Sequence, residues 1–96
     1  MRRLYLVTYD ISDPDRLRKV FKTMRGFGEH LQLSVFQCDL TPMARVEMQA
    51  ALEGVINHEE DKVLIIDLGP AEARTVQSIQ ALGRQVGVVK RGPVIV

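Results

Sequence analysis

Apolar and polar positions follow two rhythms along this chain, and each change of rhythm marks an element. Over residues 3–10, Tyr5, Val7 and Tyr9 fall on one face and Leu4, Leu6 and Thr8 on the other. A period of two with both sides largely apolar predicts a central strand covered on both faces. Asp13 then precedes Pro14, the side-chain acceptor and preset φ that suit a helix N-cap and first turn. Leu17, Val20, Phe21 and Met24 follow at i, i+3, i+4, i+7, the stripe of an amphipathic helix that Gly26 and Gly28 bring to an end.

Strand rhythm returns over residues 29–40, where Leu33 and Val35 alternate against Ser34, Phe36 and Cys38. No Asn-Gly or Asp-Gly lies inside that run, so a hairpin there has to be tight or bent. Thr41-Pro42 repeats the cap-then-proline device and opens a second helix to about Ile56, with Ala44, Met48, Leu52 and Val55 as its stripe. An acidic loop, 57–61, leads into Val63–Leu68, again apolar on both sides. Gly69-Pro70 is expected to start a short third helix ending at Gly83. The Val-rich tail 86–96, around Lys90-Arg91-Gly92-Pro93, is expected to form two strand pieces with a turn. Met24, Met43 and Met48 read as core filler.

This order predicts one α+β domain over residues 1–96, a ferredoxin-like sandwich with an antiparallel sheet and helices on one face. Such a sheet leaves its second face to water, yet strands 3–10 and 63–68 are apolar on both. At about 25 cal/mol per Å², that exposure costs several kcal/mol and favours association. A sheet-to-sheet homodimer is therefore expected, with the terminal strand segment 84–96 contacting the partner.

Composition adds limits. With 46% hydrophobic and 26% charged residues the chain is not of disordered type. Cys38, as the single cysteine, excludes an internal disulfide and a Cys-rich zinc site. The opening Met1-Arg2-Arg3 runs straight into strand pattern without an apolar signal segment, and no run has membrane-spanning length, so a soluble, cytoplasmic protein is expected. Net charge is +1, from 13 basic and 12 acidic residues, which is no whole-chain signature of a nucleic-acid binder. Its distribution is uneven, with Arg16, Arg18, Lys19, Lys22 and Arg25 crowding the first helix against Asp15 alone.

Asp10 is the first candidate for chemistry. A carboxylate at the C-terminal edge of a strand is open to a metal and a phosphate, although turn capping explains an aspartate there equally well. Asp13 reads as the N-cap, and Ser12 as a second cap or a phosphate contact. Tyr9 points away from Asp10, toward core or dimer packing. The basic helix is either a solvated face or a backbone contact that reads no sequence. Phe36 suits the core better than a base-stacking platform, although its place at the sheet rim leaves stacking open. His30 and His58 lack zinc spacing, and His58-Glu59-Glu60-Asp61 reads as a solvated loop. Asp67 ends a strand antiparallel to the first, at the opposite rim from Asp10. No Gly-rich phosphate loop or nucleophile elbow is present.

Tyr9-Asp10-Ile11-Ser12-Asp13, the basic first helix and Gln32-Leu33-Ser34-Val35-Phe36 together resemble the CRISPR-associated protein Cas two (Cas2), over essentially the whole chain. The resemblance implies a small ferredoxin-like homodimer that takes part in spacer acquisition for antiviral defence with the integrase Cas one (Cas1). It further implies a Mg²⁺-dependent endonuclease of RNA or double-stranded DNA, with Mn²⁺ as the alternative ion. The catalytic, metal-binding aspartate of the family falls on Asp10, one copy from each protomer facing the other across the twofold axis. Ser34, Val35 and Phe36 fall beside it, and the basic helix on Arg16, Arg18 and Lys19. His30 stands where members often carry Arg or Lys, which makes a phosphate contact there weaker and pH-dependent. Nucleic-acid contacts are thus expected among Ser12, Arg16, Arg18, Lys19, His30, Ser34 and Phe36. Two function classes remain: a metal-dependent phosphodiesterase led by Asp10, or a non-catalytic scaffold that holds duplex DNA and bridges integrase dimers. A small-molecule regulatory module is set aside because no ligand-loop signature is present.

Overall fold

The computed structural model describes residues 1–83. Its elements run β1 (Arg3–Asp10), α1 (Pro14–Arg25), β2 (Glu29–Gln32), β3 (Val35–Leu40), α2 (Pro42–Glu53), β4 (Lys62–Pro70) and α3 (Ala73–Val76). The strands form one antiparallel sheet in the order β2-β3-β1-β4, the ferredoxin-like arrangement that the element order predicts. The tail expected to reach a partner, 84–96, lies outside the described residues.

Local chemistry sets both long helices. The Asp13 carboxylate accepts from the Arg16 N–H at 2.9 Å, and Pro14 follows at the first helical position. Thr41 Oγ1 accepts from the Ala44 N–H at 3.1 Å ahead of Pro42–Glu53. Val20 and Met24 of α1 and Met48 and Leu52 of α2 lie buried in one core with Tyr5, Val7 and Tyr9 of β1. Register sets Cys38 opposite Tyr5 and Phe36 opposite Val7, so β3 supplies the rest of that inner layer. Gly28 is required by close approach: a Cβ there would sit 2.5 Å from both Cys38 Sγ and the Gln37 carbonyl oxygen.

On the outer face, Leu6 lies opposite Ile66 and Thr8 opposite Leu64. Leu64 and Ile66 are 51% and 41% exposed, so an apolar strip runs along β1 and β4. Among the described residues, no helix is long and apolar enough to cross a membrane.

Several sequence expectations are corrected. Residues 29–40 are two strands, with a two-residue turn at Leu33-Ser34 in which Leu33 takes φ 34°. The second helix ends at Glu53, capped by Gly54, rather than near Ile56. Gly69-Pro70 continues β4 to pair with Leu4 and Arg3, leaving only the single turn Ala73–Val76 as helix. Proline is tolerated there because β4 is an edge strand among the described residues. Met43 is 70% exposed and fills no core, since its place in the first turn of α2 turns it outward.

Candidate metal and nucleic-acid site

Asp10 is the last residue of β1, exposed, and in register with Lys62 of β4. Among the described residues its carboxylate accepts no hydrogen bond and forms no ion pair, and no group of three or more His, Cys, Asp or Glu side chains gathers to hold a metal. The chain thus offers a divalent ion one free carboxylate, not a cage. That donor set fits Mg²⁺, which binds through one or two carboxylates while water and substrate phosphate complete its shell.

The loop after Asp10 is held from the far side of the sequence. The Asp61 side chain is fully shielded from solvent. It accepts from Arg16 Nε at 2.7 Å and Nη2 at 3.1 Å, from the Asn57 N–H at 2.8 Å and from the Ser12 N–H at 3.1 Å. Arg16 Nη2 also reaches Glu60 at 3.1 Å. The Arg16 hydrogen bond holds the Asp61 carboxyl well below the usual carboxylate range, against a burial that pushes it upward. Asp61 in turn raises the Arg16 guanidinium. Residues 57–61 are therefore not simply a solvated loop; they clamp the β1–α1 connection. The fork of Arg16 is already engaged, so this cation positions the loop rather than standing ready for phosphate. No local signal reveals the pair, whose members are 45 residues apart.

The remaining basic residues of α1 are available. Arg18 pairs with Asp15, but both side chains are mostly exposed and such pairs contribute little. Lys19 and Lys22 are exposed, and Arg25 lies 5.7 Å from the Phe21 ring centroid. His30 is engaged in holding the β2–β3 turn, since Nε2 donates to the Leu33 carbonyl at 2.7 Å while the ring meets Phe21 edge-on at 5.0 Å. The half-buried Ser34 accepts from the Tyr9 N–H at 3.1 Å through its carbonyl, which ties the turn to the end of β1.

Phe36 is corrected outright. Its ring is fully buried, with centroids 6.2 Å from Tyr9 and 5.6 Å from Phe21, so no face remains for a base. Register decides this, because Phe36 lies opposite the inward Val7. Cys38 is no nucleophile: burial pushes its thiol up to about 12. Asp67 pairs with Arg3 at 2.9 Å and lies opposite Tyr5, away from the Asp10 end of the sheet.

Residues 1–76 match the family described as CRISPR associated protein Cas2. The CRISPR-associated endoribonuclease Cas2 of Geobacter sulfurreducens is 48% identical over 96 residues, with all of both chains covered. A CRISPR-associated endoribonuclease Cas2 of Rhodospirillum rubrum is 47% identical over 92 residues, covering 96% of this chain and 89% of that protein. Among solved structures, Streptococcus pyogenes Cas2 at pH 6.5 superposes with a TM-score of 0.72 at 29% identity, covering 83% of this chain and 99% of that one. A hypothetical protein from Thermus thermophilus gives a TM-score of 0.68 at 28% identity over 98% of each chain.

Proposed function

The chain belongs to the CRISPR-associated protein Cas2 family, and from that membership we propose that it is a Mg²⁺-dependent endonuclease hydrolysing phosphodiester bonds in RNA or double-stranded DNA. It acts as a homodimer and takes part in spacer acquisition beside the integrase Cas1. Relatives named as endoribonucleases support the nuclease reading. The observation that carries it is the free, exposed carboxylate of Asp10 at the end of β1, on a loop clamped by Asp61 and flanked by a basic helix.

Asp10 and its counterpart from a second copy are the metal-holding groups of this reading. Two carboxylates brought together repel unless a cation or proton sits between them, and the loop clamp fixes where each is presented. Arg18 and Lys19 hold the sugar–phosphate chain without reading its sequence. A bound Mg²⁺ would supply Lewis acidity toward the scissile phosphate. The outer strip of Leu6, Leu64 and Ile66 is the surface through which two copies meet.

One observation favours a second reading. The acid set at Asp10 is sparse, whereas two-metal nucleases hold their paired ions with more ligands. A non-catalytic scaffold that holds duplex DNA between integrase dimers needs no such set. Cleavage of labelled single-stranded RNA and duplex DNA by wild type and Asp10→Ala, each with Mg²⁺ and with chelator, separates the two. Metal-dependent cutting lost in the variant supports the nuclease. Absence of cutting with salt-sensitive duplex binding in both proteins supports the scaffold.

A further inference from the structure

A groove of about 460 Å³ opens between α1 and the β2–β3 turn, lined by Tyr9, Pro14, Leu17, Phe21 and Leu33 with Arg18 at its rim. Its size and mainly apolar walls suit one small, flat organic group. Leu33 is 86% exposed and Leu17 39% exposed, so its apolar walls face water.

The turn holds Leu33 there against backbone preference. A φ of 34° is a left-handed conformation that a branched side chain rarely adopts. It persists because neighbouring contacts over-determine it: His30 Nε2 donates to the Leu33 carbonyl, and the Tyr9 N–H donates to the next carbonyl, Ser34. Strain of this sort, which displays an apolar side chain beside a candidate site, is a pointer to function. The charge around the groove selects the occupant. Arg18 lines it, Arg25 lies against Phe21 on the same helix, and Lys19 and Lys22 are exposed between them. An apolar slot inside a cationic rim matches a flat base carried on a phosphate chain.

We propose that this groove, capped by Leu33 beside Arg18, holds a nucleobase of a single-stranded nucleic acid. The inference rests on the nucleic-acid reading above and deepens it, because a paired base inside a duplex cannot enter such a slot. It also moves base recognition from the buried Phe36 to the walls formed by Leu33, Leu17 and the Tyr9 and Phe21 rings.

The test is fluorescence anisotropy in chelator, with a short labelled oligouridylate, an abasic oligomer of equal length and charge, and duplex DNA. The protein should bind the oligouridylate about tenfold more tightly than the abasic oligomer. Leu33→Gly relieves the left-handed backbone, so the fold survives, and this variant should lose the preference while keeping its duplex affinity. Leu17→Ser should weaken the preference in the same direction. Equal binding of the two oligomers by the parent protein overturns the proposal, as does an unchanged preference in Leu33→Gly. Dissociation of a dimer by Leu33→Gly with the preference intact also overturns it, and assigns the groove to contact between copies. Cutting is scored separately with Asp10→Ala. Preference without metal-dependent cutting leaves the subsite standing and removes the nuclease reading; cutting without preference does the reverse.

Discussion

Replacing Ile66 with Asp should dissolve the proposed dimer while sparing the fold. Ile66 and Leu64 leave roughly half of their surface on the outer sheet face, opposite Leu6 and Thr8. Full burial of such side chains is worth about 1.5–3 kcal/mol, so covering the exposed part yields about 1 kcal/mol each. Repeated by symmetry, the four side chains contribute about 4 kcal/mol to association. Ile66→Asp removes half of that and forces two carboxylates toward an apolar interface, at a cost of a few kcal/mol. The dimer dissociation constant should rise by about a thousandfold or more, at about 1.4 kcal/mol per tenfold. Inward residues are untouched, so circular dichroism and the thermal midpoint should change little. Sedimentation velocity over a concentration series reads the association, and metal-dependent cutting should fall with it because Asp10 loses its counterpart. An unchanged dimer in Ile66→Asp, or a wild type that stays monomeric at high concentration, refutes the assignment of this face.

Two further outcomes test the frame around the site. The folded-state pKa of Asp61 lies below its unfolded value near 4, chiefly through the Arg16 hydrogen bond. Its ion pair therefore contributes stability above about pH 4 and loses it as pH falls further toward the folded value. Asp61→Asn should lower the thermal midpoint at neutral pH and flatten its fall below pH 4, as read by scanning fluorimetry across pH; parallel curves for the two proteins would contradict the clamp. Gly28→Ala should destabilise by about 1–3 kcal/mol in urea unfolding, since the added Cβ meets the Gln37 carbonyl and Cys38 Sγ at 2.5 Å; an unchanged midpoint would show that the two segments do not approach so closely.

Where the sequence was legible, the cause was local. Asp13-Pro14 and Thr41-Pro42 cap the helices they announce, and the stripe of Val20 and Met24 meets the stripe of Met48 and Leu52 in the core. Asp10 stands at the strand end that its sequence context predicts. What escaped depends on partners distant in the chain. The Leu33-Ser34 turn carries no glycine, and contacts from His30 and Tyr9 hold it. Asp61 reads as one more acid in a polar loop until the fold sets Arg16 and Ser12 beside it. The third helix shrank because pairing with Leu4 and Arg3 outcompeted the helix start that Gly69-Pro70 suggests.

The Asp61 clamp sets a limit on transplanting this site. The segment Tyr9–Asp13 looks portable, yet the loop that seats it belongs to the other half of the chain, between α2 and β4. A graft of the motif alone into another ferredoxin-like scaffold would carry the carboxylate without its mooring. A circular permutant opened between Asn57 and Lys62 would retain every strand and free the Asp10 loop. Any minimal redesign has to move residues 8–16 and 57–62 as one unit, two strands' ends sewn together by a single buried carboxylate.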